Sequence, residues 1–531
     1  MSRWIILIVG LAAMVVPANS QAISVDGGLI SGTTGSHPDI RVYRGVPYAS
    51  APLANLRWRP PQPVVPWKGV RKADQYSPTC MQPERAKDSV FSPGYEPDSE
   101  DCLYLNVWTP AKSTKARLPV MVWIHGGGFR FVSGSEKFFN GERLAAKGVI
   151  AVTFNYRLGA FGFLAHPELS KESGQHVSGN YGVLDQIAAL RWVQQNIVAF
   201  GGDPHRVTIF GQSAGANSVC YLLTSPLTKG LYIHAIGESV VGCLGPSAEI
   251  SKLDTAEKAG TKFLSAANAQ SIADLRAKPA EDLLKINGEY PFRPLVDGYV
   301  LPSDPYTILS RGEENQVPIL VGSNGDEGTL LGRPPASAAA FIEQARLQYG
   351  ERADSFLKLF PANSDAQAIE SNYLLWRDQV AVQARTLSEL MAHNGKVKAY
   401  RYYFSRKPPI PNGMFREQAR HELGAYHSAE IEYVFDNLDT RPYLWTDVDR
   451  KLADTMSSYW VNFAKTGNPN GPGLLSWPFA DAEHDVLIEF GDTAEVRHDF
   501  DKAALDFLGS SLAKQEPVGV SVSSRPSKTG D

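Results

Sequence analysis

The sequence predicts an α/β fold in which a large, mostly parallel central sheet is flanked by helices. Several short runs are apolar without interruption, as is typical of strands buried on both faces of a sheet. These runs lie at 118–125, 149–155, 207–210, 233–236, 317–322 and 397–404. Helical patterns separate them, and the alternation of strand and helix is typical of a doubly wound sheet.

The clearest helical pattern covers residues 181–200, where apolar side chains recur at helical spacing. Two further regions, 247–289 and 337–392, are helical and amphipathic, and we expect them to be insertions that cover a site. Because no internal repeat or long linker interrupts the chain, we expect a single domain over residues 23–515. Residues 516–531 lack apolar periodicity and are expected to form a flexible tail.

The first residues are typical of a secretory signal. Arg3 is followed by an apolar run over 4–16, which is too short to span a bilayer comfortably. Ser20 and Ala22 provide small residues at positions −3 and −1 of a cleavage site, which predicts a signal peptide over 1–22. Cleavage after Ser20 and a retained anchor are the alternatives. We therefore expect a secreted or periplasmic protein, and the lack of an Asn-x-Ser/Thr sequon favours a bacterial one.

The composition excludes several classes of protein. Lys and Arg number 52 and Asp and Glu 56, so the net charge is −4, whereas nucleic-acid-binding proteins usually have a basic excess. Four cysteines in 531 residues rule out a disulfide scaffold. Beyond the amino terminus, no apolar stretch is long enough to cross a membrane. The sequence has no H-E-x-x-H motif and no Cys/His cluster with zinc spacing, so we expect neither a metal nor a cofactor.

A serine between two glycines follows one of the predicted strands. The sequence GQSAG at 211–215 comes directly after the apolar run 207–210 and precedes a helix-compatible run. This strand–turn–helix context is the one in which G-x-S-x-G carries the nucleophile of an α/β-hydrolase. The glycines avoid clashes in the sharp turn, and the Ser213 hydroxyl projects at the start of the helix. An inert serine in a glycine-rich turn is the alternative.

Consecutive glycines end an earlier predicted strand, in the sequence HGGGF at 125–129. Without Cβ atoms around them, their backbone N–H groups can point into a cavity, which is what stabilising a developing oxyanion requires. Ala214, the residue after the candidate nucleophile, would supply a further N–H. A phosphate-binding loop is excluded because no Gly-Lys-Ser/Thr follows and no G-x-G-x-x-G fits. A flexible loop is the remaining alternative.

A nucleophilic serine needs a base, and the base needs an acid that orients it. In α/β-hydrolases both follow the serine along the chain. The candidates after Ser213 are His393, His421, His427, His484 and His498 as bases, and Asp297, Asp326 and Glu327 as acids at strand ends. The residues alone leave open whether the acid is Asp326 or Glu327 and whether the base is His421 or His427. A solvated surface side chain is the alternative for each.

Ordered blocks of sequence run through nearly the whole mature chain: RGVPYA at 44–49, LRWRPP at 56–61, EDCLYLNVW at 100–108, HGGGF at 125–129, NYR at 155–157, GNYG at 179–182 and FGGDP at 200–204. In these blocks the chain resembles the type-B carboxylesterases, a family that includes cholinesterases, bacterial para-nitrobenzyl esterases and fungal lipases. So many blocks in order make the resemblance specific. It implies an α/β-hydrolase fold with helical insertions around an active-site gorge.

The resemblance implies roles for residues that the pattern alone leaves open. The family's acid is the glutamate of its Asp-Glu-Gly motif, which corresponds to Glu327. Its base is the histidine just before the Glu-Ile-Glu-Tyr-Val-Phe block, which corresponds to His427. Its oxyanion hole is formed by backbone N–H groups that match Gly127, Gly128 and Ala214.

The family also implies ionic and covalent contacts. It has two buried ion pairs and a first disulfide, which would here be Arg57 with Glu100, Arg157 with Asp185, and Cys80 with Cys102. The partner for the family's second disulfide is missing downstream of Cys243. We therefore expect Cys243 to be a free thiol and Cys220 to be a core residue.

The chain departs from the family near the nucleophile and at the choline site. The residue before the nucleophile is often glutamate in relatives and is Gln212 here. The loop over 81–101 contains no tryptophan, and Leu330 and Leu331 stand where cholinesterases are aromatic. A choline-specific site is not expected, because cation–π capture needs those rings.

The segment that lines the acyl pocket in relatives contains Tyr290 and Phe292 here. If these rings point inward they narrow the pocket, so we expect Tyr290, Phe292, Leu330 and Leu331 to line the substrate pocket. The alternative is that one of the two aromatic rings only packs the loop.

Together these features predict a secreted serine hydrolase that cleaves carboxylic esters through an acyl-enzyme, with Ser213, Glu327 and His427 as its triad. A lipase acting on long acyl chains and a non-catalytic, cholinesterase-like adhesion protein are the alternatives, and a metallohydrolase is the third. The expected partner is a small-molecule ester, with no nucleic acid and no membrane span. The oligomeric state stays open, with a monomer favoured.

Overall fold

The computed structural model describes residues 22–91, 97–245, 250–288, 290, 292–393, 397–419, 421–481 and 483–512. The predicted signal peptide, apart from Ala22, and the predicted tail at 516–531 lie outside the described residues. The strands are β1 Ile23–Val25, β2 Gly28–Ser31, β3 Thr33–Thr34, β4 Arg41–Pro47, β5 Val70–Lys72, β6 Thr79–Cys80, β7 Asp98–Ser99, β8 Tyr104–Thr109, β9 Leu118–Ile124, β10 Ile150–Phe154, β11 Gly202–Gln212, β12 His234–Glu238, β13 Ile319–Asn324, β14 Ala399–Phe404, β15 Val486–Phe490 and β16 Ala494–His498.

The α-helices are α1 Glu142–Ala146, α2 Gly159–Phe163, α3 Pro167–Glu172, α4 Tyr181–Asn196, α5 Ala214–Thr224, α6 Leu253–Ala266, α7 Ile272–Ala277, α8 Ala280–Asn287, α9 Pro305–Ser310, α10 Gly328–Leu331, α11 Ala338–Tyr349, α12 Ala353–Leu359, α13 Asp365–Ala392, α14 Ile431–Val434, α15 Asp447–Thr466 and α16 Lys502–Leu512. Short 3₁₀ turns lie at Ala54–Leu56, Thr114–Ala116, Lys137–Phe139, Ile197–Phe200, Pro226–Thr228, Gly350–Arg352, Arg416–Ala419 and Leu438–Thr440.

In the described part of the chain, eleven strands form one sheet in the order β16-β15-β14-β13-β12-β11-β9-β10-β8-β4-β3. Its centre, from β10 across to β15, is parallel. Antiparallel pairs lie at both edges, where β8, β4 and β3 continue one side and β16 the other. The predicted buried runs are β9 to β14, and the prediction of a large, mostly parallel sheet flanked by helices is confirmed.

Strand β9 shows why the buried runs lack alternation. Val120, Val122 and Ile124 join the core cluster that contains residues of α4 and α5. Met121 and Trp123 join the other core cluster, which contains residues of α14 and α15. Because successive side chains of a strand point to opposite faces and both faces are covered here, every position of the strand is apolar.

The predicted helical regions are resolved into separate helices. The pattern over 181–200 forms α4 as far as Asn196 and then a 3₁₀ turn that ends at Gly201, whose φ is +84°. The region 247–289 contains α6, α7 and α8, and the region 337–392 contains α11, α12 and α13. Helices α11 to α13 share a third core cluster with α16.

The sheet brings three of the sequence motifs together at the carboxyl ends of its central strands. The glycine run follows the end of β9, GQSAG spans the end of β11, and the Asp-Glu-Gly motif follows the end of β13. Because β9, β11, β12 and β13 are parallel neighbours, their carboxyl ends meet at the same edge, which is where open α/β sheets place their sites.

Candidate active site

The turn between β11 and α5 holds Ser213 in a strained backbone. Its φ is +58° and its ψ is −121°, in a region that residues with a Cβ rarely adopt. A Cβ added to Gly211 would lie 2.6 Å from the carbonyl oxygen of Ile124, and one added to Gly215 would lie 2.0 Å from the same atom. Both glycines are therefore required for the turn to lie against the end of β9. Ser213 itself is half-buried.

A short hydrogen bond joins His427 to Glu327. The Nδ1 atom of His427 lies 2.5 Å from Oε2 of Glu327, and both side chains are buried. The other carboxylate oxygen, Oε1, accepts hydrogen bonds from the Ser239 hydroxyl at 2.6 Å and from the backbone N–H of Asn324 at 2.8 Å. A carboxylate with all these donors fixes the imidazole ring and keeps a proton on Nδ1. In the neutral ring, Nε2 is then free to accept a proton.

The imidazole lies at the nucleophile turn. Its Nε2 atom is 3.2 Å from the side-chain nitrogen of Gln212, the residue directly before Ser213. The Ser213 hydroxyl makes no hydrogen bond within the described residues, while its backbone N–H donates to the carbonyl of Glu238 at 2.9 Å. The structure therefore brings Ser213, His427 and Glu327 to one place.

The competing acid has a different task. Oδ2 of Asp326 accepts from the backbone N–H of Ala425 at 2.7 Å, and the two backbones also pair. Gly424 lies so close that an added Cβ would be 2.1 Å from Oδ2 of Asp326. Asp326 thus supports the loop that leads to His427 and does not contact the imidazole.

The competing base is also occupied elsewhere. Nε2 of His421 lies 2.7 Å from the carbonyl oxygen of Thr329, and its Nδ1 lies 3.0 Å from the Tyr373 hydroxyl. These partners hold His421 beside α10. Among the other candidates, Asp297 accepts three backbone N–H groups and the Asn180 amide.

The remaining histidine candidates lie on other elements of the chain. His484 bonds the carboxylate of Asp481 at the surface. His393 caps the end of α13 and His498 ends the edge strand β16.

The glycine run forms an open loop beside the serine. Gly127 and Gly128 have φ values of +88° and +61°, and a Cβ on Gly127 would lie 2.0 Å from the carbonyl oxygen of Phe131. Around Gly128 nothing lies within 4 Å of an added Cβ, so this residue faces open space. Within the described residues, the backbone N–H groups of Gly127, Gly128 and Ala214 have no acceptor. They are available to a ligand.

His125 anchors this loop as a neutral ring. Burial lowers its pKa to about 3, so it carries no charge near neutral pH. The ring stacks on Tyr156 with centroids 4.3 Å apart, and the Tyr156 hydroxyl donates to the His125 carbonyl at 2.9 Å. The glycine loop therefore begins at an uncharged side chain that is held in a fixed position.

Two further buried carboxyl groups lie behind Glu327. Glu430 receives the Asn324 side-chain amide at 2.5 Å, and Glu238 receives the indole N–H of Trp460 at 2.7 Å. Burial raises the pKa of Glu238 to about 8. Burial, and then the neighbouring charge of Glu238, raises the pKa of Glu430 well above its usual value. No sequence pattern indicated Glu238, and Glu430 stood out only as part of a family block.

The ion pairs implied by the resemblance are present. Arg57 contacts Glu100 with two nitrogens, at 2.5 and 2.6 Å, and Arg157 contacts Asp185 at 2.7 and 2.8 Å. Arg57 also donates to the carbonyl of Lys278, just beyond the end of α7, at 2.8 Å. Both pairs are well shielded and tie the early loops to the helices around the site.

The structure contains two disulfides. Cys80 is joined to Cys102, with Cα atoms 5.0 Å apart, as the resemblance implied. Cys220 is joined to Cys243, with Cα atoms 6.4 Å apart, so the expectation of a free thiol at Cys243 and a simple core residue at Cys220 was wrong. The reason is tertiary: α5 carries Cys220 against the segment that follows β12, a proximity that no local pattern encodes.

The predicted pocket residues lie in two places. Tyr290 stacks on Phe292 with centroids 5.7 Å apart, and both rings meet Phe263 of α6 edge-on. The Tyr290 hydroxyl reaches the carbonyl of Lys262 at 3.4 Å, so this ring packs its loop onto α6.

Leu330 and Leu331 lie on α10, directly after Glu327, and are half-buried.

Across the described ranges, no group of three or more His, Cys, Asp or Glu side chains could hold a metal ion. Within the same ranges, no helix has the length and apolar character to cross a membrane.

Comparisons with known proteins agree with one another. Residues 19–508 match the carboxylesterase family. The chain is 36% identical over 519 residues to fumonisin B1 esterase of Sphingopyxis macrogoltabida, covering 94% of this chain and 89% of that protein. It is 36% identical over 485 residues to para-nitrobenzyl esterase of Bacillus subtilis (strain 168), covering 86% and 92%. A solved para-nitrobenzyl esterase structure superimposes with a TM-score of 0.80 at 32% identity, covering 92% of this chain and 99% of that one.

Proposed function

The chain belongs to the carboxylesterase family and is a carboxylic ester hydrolase, and from this premise we propose that Ser213, His427 and Glu327 form its catalytic triad. In this proposal Ser213 is the nucleophile, His427 the general base and Glu327 the acid that orients the imidazole. Gly127, Gly128 and Ala214 form the oxyanion hole. The substrate is a small-molecule ester.

Acylation begins when Oγ of Ser213 attacks the ester carbonyl carbon and its proton passes to Nε2 of His427. The carbonyl oxygen becomes an oxyanion and accepts hydrogen bonds from the backbone N–H groups of the oxyanion hole. Collapse of this intermediate expels the alcohol, which takes the proton from Nε2. Water then repeats the sequence on the acyl-enzyme and releases the acid.

The observation that carries the proposal is the 2.5 Å contact between Nδ1 of His427 and Oε2 of Glu327, located at the strained Ser213 turn. Glu327 is wholly buried and is met by three donors, so it is held as an orienting group. The free N–H groups around Gly128 supply the other half of the chemistry.

We propose further that the protein acts outside the cytoplasm, after removal of residues 1–22. The two disulfides support this location, because disulfides persist in oxidising compartments. Amino-terminal sequencing of protein recovered from the medium or periplasm tests the cleavage site after Ala22.

A fluorophosphonate probe tests the nucleophile directly. The wild-type protein should be labelled on Ser213 and should hydrolyse para-nitrobenzyl and para-nitrophenyl esters, while Ser213→Ala should lose both labelling and turnover and stay folded. Removing a triad member typically leaves an enhancement of about 10³–10⁴-fold over water. Ser225→Ala, which removes a buried serine at the far end of α5, is the matched control. Near-normal turnover in Ser213→Ala protein that is free of wild-type enzyme would contradict the proposed triad.

The acyl preference is a separate question, because a lipase would favour long chains. We propose that Tyr290, Phe292, Leu330 and Leu331 line the substrate pocket. A panel of esters of increasing acyl length tests this, with Tyr290→Ala and Leu330→Ala compared in parallel. If the dependence of activity on acyl length is the same in both variants as in wild type, these residues do not line the pocket.

A further inference from the structure

The side chain of Gln212 contacts the base at the atom that must receive the serine proton. Because Nδ1 of His427 donates to Glu327, the neutral ring has an unprotonated Nε2, which can only accept a hydrogen bond. The side-chain nitrogen of Gln212 is 3.2 Å from this atom. The tautomer therefore fixes the direction of the contact: the Gln212 amide donates and His427 Nε2 accepts.

The position of Gln212 is well defined. Its side chain is 3% exposed, and its backbone pairs with Glu238 of β12 at the end of the sheet. A Cβ added to Gly126 would lie 3.3 Å from Oε1 of Gln212 and 2.7 Å from its carbonyl oxygen. The amide is thus enclosed between the glycine loop and the imidazole, with little room to turn away.

We propose that Gln212 is a positioning residue that donates its amide to the lone pair of neutral His427 and thereby sets the lower pH limit of catalysis. The proposal rests on the proposed role of His427 as the base. A donor facing Nε2 stabilises the neutral ring and opposes the imidazolium, in which Nε2 is itself a donor. A base that stays neutral at lower pH keeps the enzyme active at lower pH.

The charges around the ring do not override this effect. Glu327 is the bonded carboxylate, and it is present in every variant considered below. Behind it, burial raises the pKa of Glu238 and that of Glu430, so both carry protons in the acidic range. On the side of the glycine loop, burial lowers the pKa of His125 and keeps it neutral. Gln212 is uncharged, so its influence comes from the hydrogen bond alone.

The hydrogen bond must exchange during turnover. When Oγ of Ser213 forms its bond to the ester carbon, the serine proton moves to the lone pair of His427 Nε2, and the carbonyl π pair moves to oxygen. The Gln212 N–H loses its acceptor in that step. It regains the acceptor when Nε2 passes the proton to the leaving alkoxide. Gln212 therefore favours the resting base and competes with Ser213 for it.

The decisive variant is Gln212→Met, which keeps the volume and removes the donor. The acidic limb of kcat/KM for an uncharged chromogenic ester should move upward by about 0.5 to 1 pH unit, because the neutral ring loses a hydrogen bond. Gln212→Glu should move it further, by about 1 to 3 units, because a carboxylate favours the imidazolium. A downward movement in Gln212→Met means that the amide oxygen faces the ring, which overturns the proposal.

The control is Gln186→Met, which removes another buried amide. Gln186 donates to the Ser218 hydroxyl on α5 at 2.9 Å and does not contact His427, so its limb should not move. Turnover that survives Ser213→Ala overturns the proposed function and this inference with it. An unmoved limb in Gln212→Met, with turnover that depends on Ser213, overturns this inference alone.

A measurement on the wild-type enzyme covers the case in which Gln212→Met fails to fold. In protein labelled with nitrogen-15 at histidine and glutamine, we expect a coupling across the hydrogen bond between His427 Nε2 and the Gln212 amide proton. It should vanish as the ring is protonated. Absence of the coupling when the ring is neutral overturns the proposal.

Discussion

Ser239 donates its hydroxyl to Oε1 of Glu327 across 2.6 Å, from a backbone whose φ is +55°. It follows β12, the strand that lies between β11, which leads to Ser213, and β13, which leads to Glu327. Its own backbone N–H donates to Gly322 of β13 at 2.9 Å. Ser239 therefore ties the end of β12 to β13 and to Glu327, the proposed acid, through one buried residue.

Removal of this hydroxyl should weaken catalysis without unfolding the protein. A hydrogen bond to a charged group is worth about 1.5–3 kcal/mol, so Ser239→Ala should lower kcat by about 10- to 100-fold. Ser457→Ala is the control, since that serine is also buried but bonds only backbone carbonyls of α15. Equal kcat values for Ser239→Ala and wild type, measured on one chromogenic ester, would show that the Ser239 hydroxyl does not contribute to catalysis.

The two neighbouring acids should separate clearly. Glu327→Gln keeps the shape of the side chain but removes the charge that stabilises the imidazolium, so kcat should fall by about 10⁴-fold, as for the equivalent change in a serine protease. Asp326→Asn can still accept from Ala425 and should cost far less. Steady-state kinetics of both variants decide between them. The reverse order of effects would place the acid at Asp326.

Glu238 should make stability depend on pH. Its pKa is raised by burial from 4.5 to about 8, so the folded protein binds a proton that the unfolded chain releases above its own pKa. The stabilising contribution of that proton is complete below about pH 4.5 and is lost as pH rises through about 8. Glu238→Gln cannot ionise, so its melting temperature relative to wild type should rise steadily between these values.

The matched control for this prediction is Glu351→Gln, on an exposed turn, whose melting temperature should follow that of wild type at every pH. The expected gain for Glu238→Gln at the alkaline end is on the order of several kcal/mol in unfolding free energy, since each unit of pKa is worth about 1.4 kcal/mol. If the difference in melting temperature between Glu238→Gln and wild type is the same at pH 5 and at about pH 8, the pKa of Glu238 is not raised and the prediction is wrong.

The Cys220–Cys243 disulfide should affect the chemistry as well as stability. It joins α5, which begins directly after Ser213, to the segment that carries Ser239. Asn217 also holds that segment, by accepting from the N–H groups of Val241 and Gly242. Replacing both cysteines by serine should lower kcat more than it changes KM. Each disulfide closes a loop of about 20 residues and is worth about 3 kcal/mol in the chain-entropy model.

The control is the double serine variant at Cys80 and Cys102. It removes a disulfide that closes a loop distant in sequence from the proposed triad. It should lower the melting temperature by a similar amount and leave kcat nearly unchanged, while loosening substrate discrimination. Peptide mapping without reductant verifies both bridges first. Recovery of Cys220 and Cys243 as separately alkylated peptides would contradict the premise.

Local patterns predicted the parts of this protein that are local. The buried runs of the sheet, the helical pattern over 181–200 and the Ser213 turn depend on apolar periodicity and on glycine positions, which are visible within a short stretch of sequence. The pairing of His427 with Glu327 spans 100 residues, so the sequence left two acids and two bases open until the family resemblance decided between them.

Other features left no trace in the sequence. Glu238 and Ser239 lie at the end of an ordinary buried strand, and nothing in their neighbourhood indicates that Glu327 packs against them. The Cys220–Cys243 bridge was missed for the same reason, because the orientation of α5 decides which cysteines meet. Such contacts join residues that are distant in sequence. They depend on how helices and strands pack together, which no local pattern encodes.

The level alignment of β11, β12 and β13 has a consequence for how such enzymes diversify. Gln212 pairs with Glu238, and Glu238 pairs with Gly322, so the strand ends that precede the proposed nucleophile and the proposed acid are two interstrand spacings apart, about 10 Å. That separation is set by backbone pairing and does not depend on the residues of the surrounding insertions. Changes in the loops beyond these strand ends can therefore alter which esters fit, while the separation between the proposed nucleophile and the proposed acid stays the same.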